Sequence, residues 1–161
     1  MSDLDETDVR ILSELQRDAT LSVESLAERV HLSRNACWRR ARMLEEKGLI
    51  KGRVAVLDAE RAGCGLSVFV FVRTANHDPH WLAKFRAAVT AFPEIVGVYR
   101  TSGDLDYVLK ARVSDVKAYD RLYQRLIAKV PLADVSASFV MEDIKETTEI
   151  PLGDAISAAR R

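Results

Sequence analysis

The chain has 161 residues, 24 basic and 24 acidic side chains, and 48% hydrophobic residues, the balance of a folded globular protein and not of a disordered chain. That length suits one ordinary domain or two small ones, and no apolar run approaches the roughly 18 to 20 residues that span a bilayer. The first nine residues are acidic, so no signal peptide is expected either. Cys37 and Cys64 stand 27 positions apart with no C-x-x-C pairing, which supports neither a disulfide framework nor a zinc site and predicts buried, reduced thiols in a cytosolic protein.

Zero net charge conceals a segregation along the chain. Residues 1 to 28 hold two basic and eight acidic side chains, residues 29 to 53 eight basic and two acidic, and residues 54 to 161 fourteen of each. Folded onto one face, the middle stretch would make a compact positive field for a polyanion, nucleic acid first. On charge alone, a solvated helix surface partly neutralised by the acidic segment accounts for the pattern equally well.

Three short helices are predicted first. Leu4, Ile11, Leu12 and Leu15 form one apolar stripe, with Asp5, Glu6 and Asp8 in the first turn and an end near Asp18. Ser22 caps a second helix, in which Val23, Leu26, Ala27 and Val30 keep helical spacing and Ser25 is placed for the capping interaction. A turn at His31 and Leu32 leads to a third helix, from the cap Ser33 to about Lys47, stopped by Gly48. At 100° per residue its inner side carries Cys37, Ala41 and Leu44. Its outer side carries Asn35, Arg39 and Arg42, flanked by Arg34 and Trp38. A helix-turn-helix puts such a face in the major groove, where arginine suits guanine edges, asparagine suits adenine edges and further arginines hold phosphates.

After Gly48 the period changes. Leu49 to Leu57 suits a wing or connecting strand, with Lys51 and Arg53 able to reach the backbone beside the groove. Residues 58 to 65 resemble a hinge with two glycines. From there strands and helices alternate as β-α-β-β-α-β: 66 to 74, 79 to 92, 95 to 102, 105 to 113, 115 to 129 and 135 to 143. Both helices carry apolar stripes, Trp81 to Phe92 and Val116 to Ile127, that belong to a core. The run V-F-V-F-V at 68 to 72 is apolar on both faces of its strand, so a second subunit is the natural cover for the sheet's free side. Pairing there would supply the two-fold axis of a palindromic operator.

The runs Leu4 to Asp18 and Leu26 to Ile50, with T-S-G-D-L-D-Y-V-L-K (Thr101 to Lys110), S-D-V-K-A-Y-D (Ser114 to Asp120) and S-F-V-M-E-D-I-K-E-T-T-E-I-P-L (Ser138 to Leu152), resemble the Lrp/AsnC, or feast/famine, regulators. The resemblance implies an α+β protein, a winged helix-turn-helix (residues 1–52) and a connecting strand and hinge (53–65) ahead of a ferredoxin-like βαββαβ effector domain (66–152) and a tail (153–161). It implies a cytoplasmic, nucleoid-associated transcription factor of amino-acid metabolism, with dimers assembling into tetramers or octamers on a pseudo-palindromic duplex. Its DNA-binding residues would be Ser33, Arg34, Asn35, Trp38, Arg39, Arg42, Lys51 and Arg53. An amino acid is the implied effector, held between dimers at Thr101, Ser102, Gly103, Asp104 and Asp106, with Ser138 nearby. Gly103 allows close backbone approach, free amides can hold a carboxylate, and Asp104 or Asp106 can pair an ammonium group. From the residues alone, an ordinary S-G-D hairpin turn accounts for that loop more economically. C-W-R-R, the H-W near Trp81 and S-F-V-M-E-D-I-K are similar to the branch of the cysteine-detoxification regulator, which makes cysteine a candidate effector. His31 and Ala36 stand where the family often has Gly and Pro; histidine tolerates a left-handed turn and alanine is a good helix former, so the motif survives.

An enzyme and an RNA-binding module are the competing classes. H-D-P-H at 77 to 80 lacks further ligands for a metal, and no phosphate loop, nucleophile elbow or cofactor motif is present. Phe69, Phe71 and Tyr107 would suit an RNA-binding sheet, but residues 54 to 161 carry no net charge and a subunit interface explains the aromatics better.

Overall fold

The computed structural model describes residues 4–75 and 78–152. By its internal contacts the chain forms two units, one of residues 4–55 with 145–152 and one of residues 56–144. No helix among the described residues is long and apolar enough to cross a membrane.

The first unit contains α1 (Glu6–Arg17), α2 (Val23–Arg29) and α3 (Arg34–Glu46). Each starts where a side-chain oxygen accepts an otherwise unsatisfied amide: Asp5 from Asp8, Ser22 from Ser25 and Ser33 from Ala36. Between α2 and α3, His31 adopts φ 56°, the left-handed turn in which glycine is the usual residue. Gly48, at φ 73°, stops α3, as its amide returns to the Glu45 carbonyl and that of Leu49 to Leu44. Ile11, Leu26, Val30, Cys37 and Leu44 fill the core of this unit. Burial pushes the Cys37 thiol up from its ordinary pKa, which keeps it protonated and inert.

One ionic contact in this unit reaches a buried carboxylate. Asp5 and Asp8 form a reciprocal capping box at the start of α1, and Asp8 is only 3% exposed. The Arg40 Nη1 atom of α3 lies 2.6 Å from Asp5 Oδ2 and 2.7 Å from Asp8 Oδ1. Burial is the largest single influence on the Asp5 carboxyl and pushes its pKa up. The Asp8 amide and the Arg40 guanidinium together outweigh it, and the net shift is downward.

The second unit is a four-stranded antiparallel sheet in the order β2-β3-β1-β4, with β1 Leu66–Arg73, β2 Ile95–Arg100, β3 Tyr107–Val113 and β4 Asp134–Phe139. Helices α4 (Pro79–Thr90) and α5 (Val116–Lys129) pack on the face that presents Val68, Val70, Val72, Leu109 and Ala111. Asp78 caps α4 with Pro79 in its first turn, and Asp115 caps α5. Trp81 stacks on Phe85 at 5.0 Å, and its indole N–H donates to the Pro131 carbonyl at 2.8 Å. This is the expected ferredoxin-like arrangement. On the far side of the sheet Phe69, Phe71 and Val108 are half-buried, and Tyr99 folds over Gly97, where a Cβ would lie 2.9 Å from its hydroxyl.

Five expectations change. Residues 49 to 57, expected as a wing or connecting strand, pair as a strand with no described residue, and Val54, Val56 and Leu57 stand exposed. Residues 58 to 65, expected as a hinge with two glycines, fold as a hydrogen-bonded turn: the amides of Ala62, Gly63 and Cys64 return to Asp58, Glu60 and Ala59. Cys64 is therefore exposed, contrary to the expectation of two buried thiols. Val116 and Ile127 sit at the solvent edge of the α5 stripe, since only Leu122 and Leu126 are deep enough to be buried. Residues 145 to 152 belong with the helical unit. The Ile150 amide donates to Gln16 Oε1 at 2.7 Å, Gln16 Nε2 donates back to the Ile150 carbonyl at 3.3 Å, and Leu152 packs on that core. Asn76, His77 and the tail 153–161 lie outside the described residues.

Removing Arg40 strands a buried carboxylate, so Arg40→Ala should destabilise the helical unit by about 2 to 3 kcal/mol, while Arg39→Ala stays within about 0.5 kcal/mol, as measured by urea unfolding. A depressed carboxyl stabilises above its unfolded pKa and loses that contribution as pH falls through the folded value. Stability should therefore drop on acidification below about pH 4, and less steeply in Asp5→Asn, followed by circular dichroism.

Candidate nucleic-acid interface and effector loop

Helix α3 is 13 residues long, about 20 Å at the usual rise, enough to lie along a major groove. Its sequence divides it cleanly. Cys37 and Leu44 are fully buried, whereas Arg34, Asn35, Trp38, Arg39 and Arg42 are all exposed. The structure thus brings five of the eight expected DNA-contacting residues onto one helical surface. Ser33 lies at its head with its hydroxyl occupied as the cap of Ala36. Lys51 and Arg53 are exposed on the unpaired segment that follows.

The arginines differ in their surroundings. Arg34 pairs with Glu24, Arg42 Nε lies 2.9 Å from Glu46 Oε1, and Arg53 Nη2 lies 2.5 Å from Glu45 Oε1. Arg42 also lies over the Trp38 ring, 5.5 Å from its centroid, a contact that holds an exposed guanidinium in place. Asn35 and Arg39 have no side-chain partner among the described residues. Arg40 is the residue that sequence reasoning missed. It sits between the inner and outer faces of α3, and its role depends on Asp5 and Asp8, which are 35 and 32 positions away. The signal available was an acidic cap and an acidic residue three positions on, in the first turn of α1, with a cationic position beside the apolar stripe of α3.

The second candidate site is the loop joining β2 to β3. It is tied at its base: the Thr101 amide donates to the Asp106 carbonyl at 3.0 Å, the Thr101 hydroxyl to the Leu105 carbonyl at 2.6 Å, and the Asp106 amide to Val72 at 3.1 Å. The Asp106 carboxylate accepts from the Thr74 amide at 2.8 Å, so it braces the loop. Thr101, Ser102, Gly103 and Asp104 are exposed, and Gly103 has φ 110°, a conformation that a side chain would strain. The amides of Ser102, Gly103 and Asp104 donate to no described residue, and are free for an anion. Ser138 is not on this loop. It pairs in register with Phe69, three residues along β1 from the Val72 level, about 10 Å away at strand spacing. Within one chain the two are not brought together. No group of three metal-ligating side chains occurs among the described residues, and His77 of the H-D-P-H run lies outside them.

The comparisons agree with both halves of this arrangement. A winged helix-turn-helix DNA-binding family matches residues 4–51 and the Lrp/AsnC ligand-binding domain matches residues 67–150. The glutamate uptake regulatory protein of Zymomonas mobilis is 47% identical over 158 residues, covering 98% of this chain and 96% of that protein. Among solved structures, an AsnC family transcriptional regulator from Agrobacterium tumefaciens superposes with a TM-score of 0.90 at 50% identity, over 92% of this chain and 97% of that one. The transcriptional regulator NMB0573 of Neisseria meningitidis, solved with L-methionine, also gives 0.90, at 33% identity over 94% and 99%. A helix-turn-helix with a cationic outer face, followed by a ferredoxin-like ligand-binding unit and matched over nearly its whole length by regulators of one kind, places this chain in the Lrp/AsnC family of DNA-binding transcriptional regulators.

Proposed function

We propose that the chain regulates genes of amino-acid metabolism by seating α3 in the major groove of a pseudo-palindromic operator, and that an amino acid bound at the β2–β3 loop modulates its assembly or its grip on DNA. The observation that carries the first part is the outer face of α3: Asn35 and Arg39 stand exposed on a helix whose roll is fixed by Arg40. A bidentate arginine or asparagine contact needs that fixed placement, because base edges are read at hydrogen-bond distance.

Support for an amino-acid effector comes from the loop's free amides, which suit a carboxylate, and from the exposed Asp104, which suits an ammonium group. The Neisseria relative was solved with L-methionine and the Zymomonas relative is named for glutamate uptake. Cysteine is one candidate among these. The half-buried Phe69, Phe71 and Val108 favour dimers joined through the sheet, with the effector held where dimers meet and Ser138 supplied by a neighbouring subunit. The protein would act in the cytoplasm, on the nucleoid.

On a duplex selected by the parent chain from a random pool, Arg39→Ala should bind at least about tenfold more weakly with unchanged oligomer mass. Unaltered footprints would reject the assignment of α3. Thermal-shift screening of the twenty amino acids should find at least one that stabilises the parent, and Asp106→Ala, by loosening the loop's brace, should lose that shift while retaining DNA binding. A variant that keeps the full shift would place the pocket elsewhere.

A further inference from the structure

Three of the arginines on the cationic surface already have carboxylate partners. Arg34 is paired with Glu24, Arg42 with Glu46 and Arg53 with Glu45, and all six side chains are between 38% and 69% exposed. Pairs this exposed gain little, about 0.2 to 1 kcal/mol, and open readily. Asn35 and Arg39 lie on the same surface without a partner among the described residues.

We propose that Glu24, Glu45 and Glu46 stand in for DNA phosphates: on docking, a backbone phosphate replaces each carboxylate on its arginine, and base edges are left to Asn35 and Arg39. This rests on the DNA-binding reading and sorts its contacts into two classes. A guanidinium presents the same planar fork to a carboxylate and to a phosphate, so an arginine held by glutamate is already oriented for the exchange and loses less rotamer freedom in making it. The glutamates cannot remain where they are, because each would face a phosphate of like charge across a few ångströms. They therefore weaken binding to every duplex alike and act as a brake on non-specific association, while Asn35 and Arg39 supply what differs between sequences. Arg42 keeps its seat over Trp38 after Glu46 leaves, which makes this pair the best placed of the three.

The test uses the full chain, fluorescence anisotropy and a random-sequence duplex across a salt series. Glu46→Gln should tighten binding about threefold, and the gain should vanish when the same change is made in Arg42→Ala, because no arginine is then released. Arg42→Ala alone should weaken binding to all duplexes and lower the salt slope by about one. Asn35→Ala and Arg39→Ala should instead narrow the gap between selected and random duplexes. An equal gain from Glu46→Gln in both backgrounds would reveal only a bulk change of charge, and no gain would show the carboxylate stays in place; either result overturns the exchange. Failure of the parent chain to bind any duplex at low salt would overturn the DNA-binding reading, and the exchange with it.

Discussion

The arrangement on which the DNA-facing surface depends is the clasp of Arg40 on Asp5 and Asp8. Three helices of 12, 7 and 13 residues pack around a small apolar core, to which the clasp adds a charged link. A guanidinium shared by two carboxylates, one of them buried, resists rotation of α3, because any roll would leave Asp8 charged and unpaired in the core. The clasp also joins the capping box of α1 to the middle of α3, so the start of one helix determines the angular position of another. Asn35 and Arg39 face outward opposite the buried Cys37 and Leu44, and the Arg40 clasp ties that side of α3 to α1.

Charge has two opposite uses within the same short region. Buried or half-buried, as at Arg40, an ion pair is a structural constraint whose loss is expensive. Exposed, as at Arg34, Arg42 and Arg53, it contributes little to stability and can be exchanged. Solvent decides between them, since the same pair of groups interacts far more strongly once water is excluded. The first kind holds α3 against α1, and the second leaves the outer arginines in contact with water.

The ligand-binding unit separates its tasks by face. One side of the sheet is closed by α4 and α5 around Trp81, Phe85 and Tyr107. The other side keeps Phe69, Phe71 and Tyr99 at or near the surface, and the β2–β3 loop projects from one end. Bracing by Asp106 against Thr74 ties that loop to the end of β1, an inner strand of the sheet.

Much of this was legible in the chain as written. Ser22, Ser33 and Gly48 marked helix ends because caps and stops are local chemistry, and the apolar run within 66 to 74 with the stripes of α4 and α5 announced a sheet packed against helices because burial selects apolar residues on each element. The outward placement of Asn35, Arg39 and Arg42 followed from 100° per residue alone. What the chain could not announce was every feature that needs two distant segments to meet. Arg40 went unremarked in the sequence because its role needs Asp5 and Asp8 beside it. Residues 49 to 57 read as a wing or connecting strand, but a strand exists only where another backbone pairs with it, and no described residue does. Residues 145 to 152 read as the end of the sheet domain, yet Gln16 and the helical core claim them. Local periodicity is written one residue at a time, whereas ion pairs, strand partners and docking segments depend on separations that only the folded chain closes.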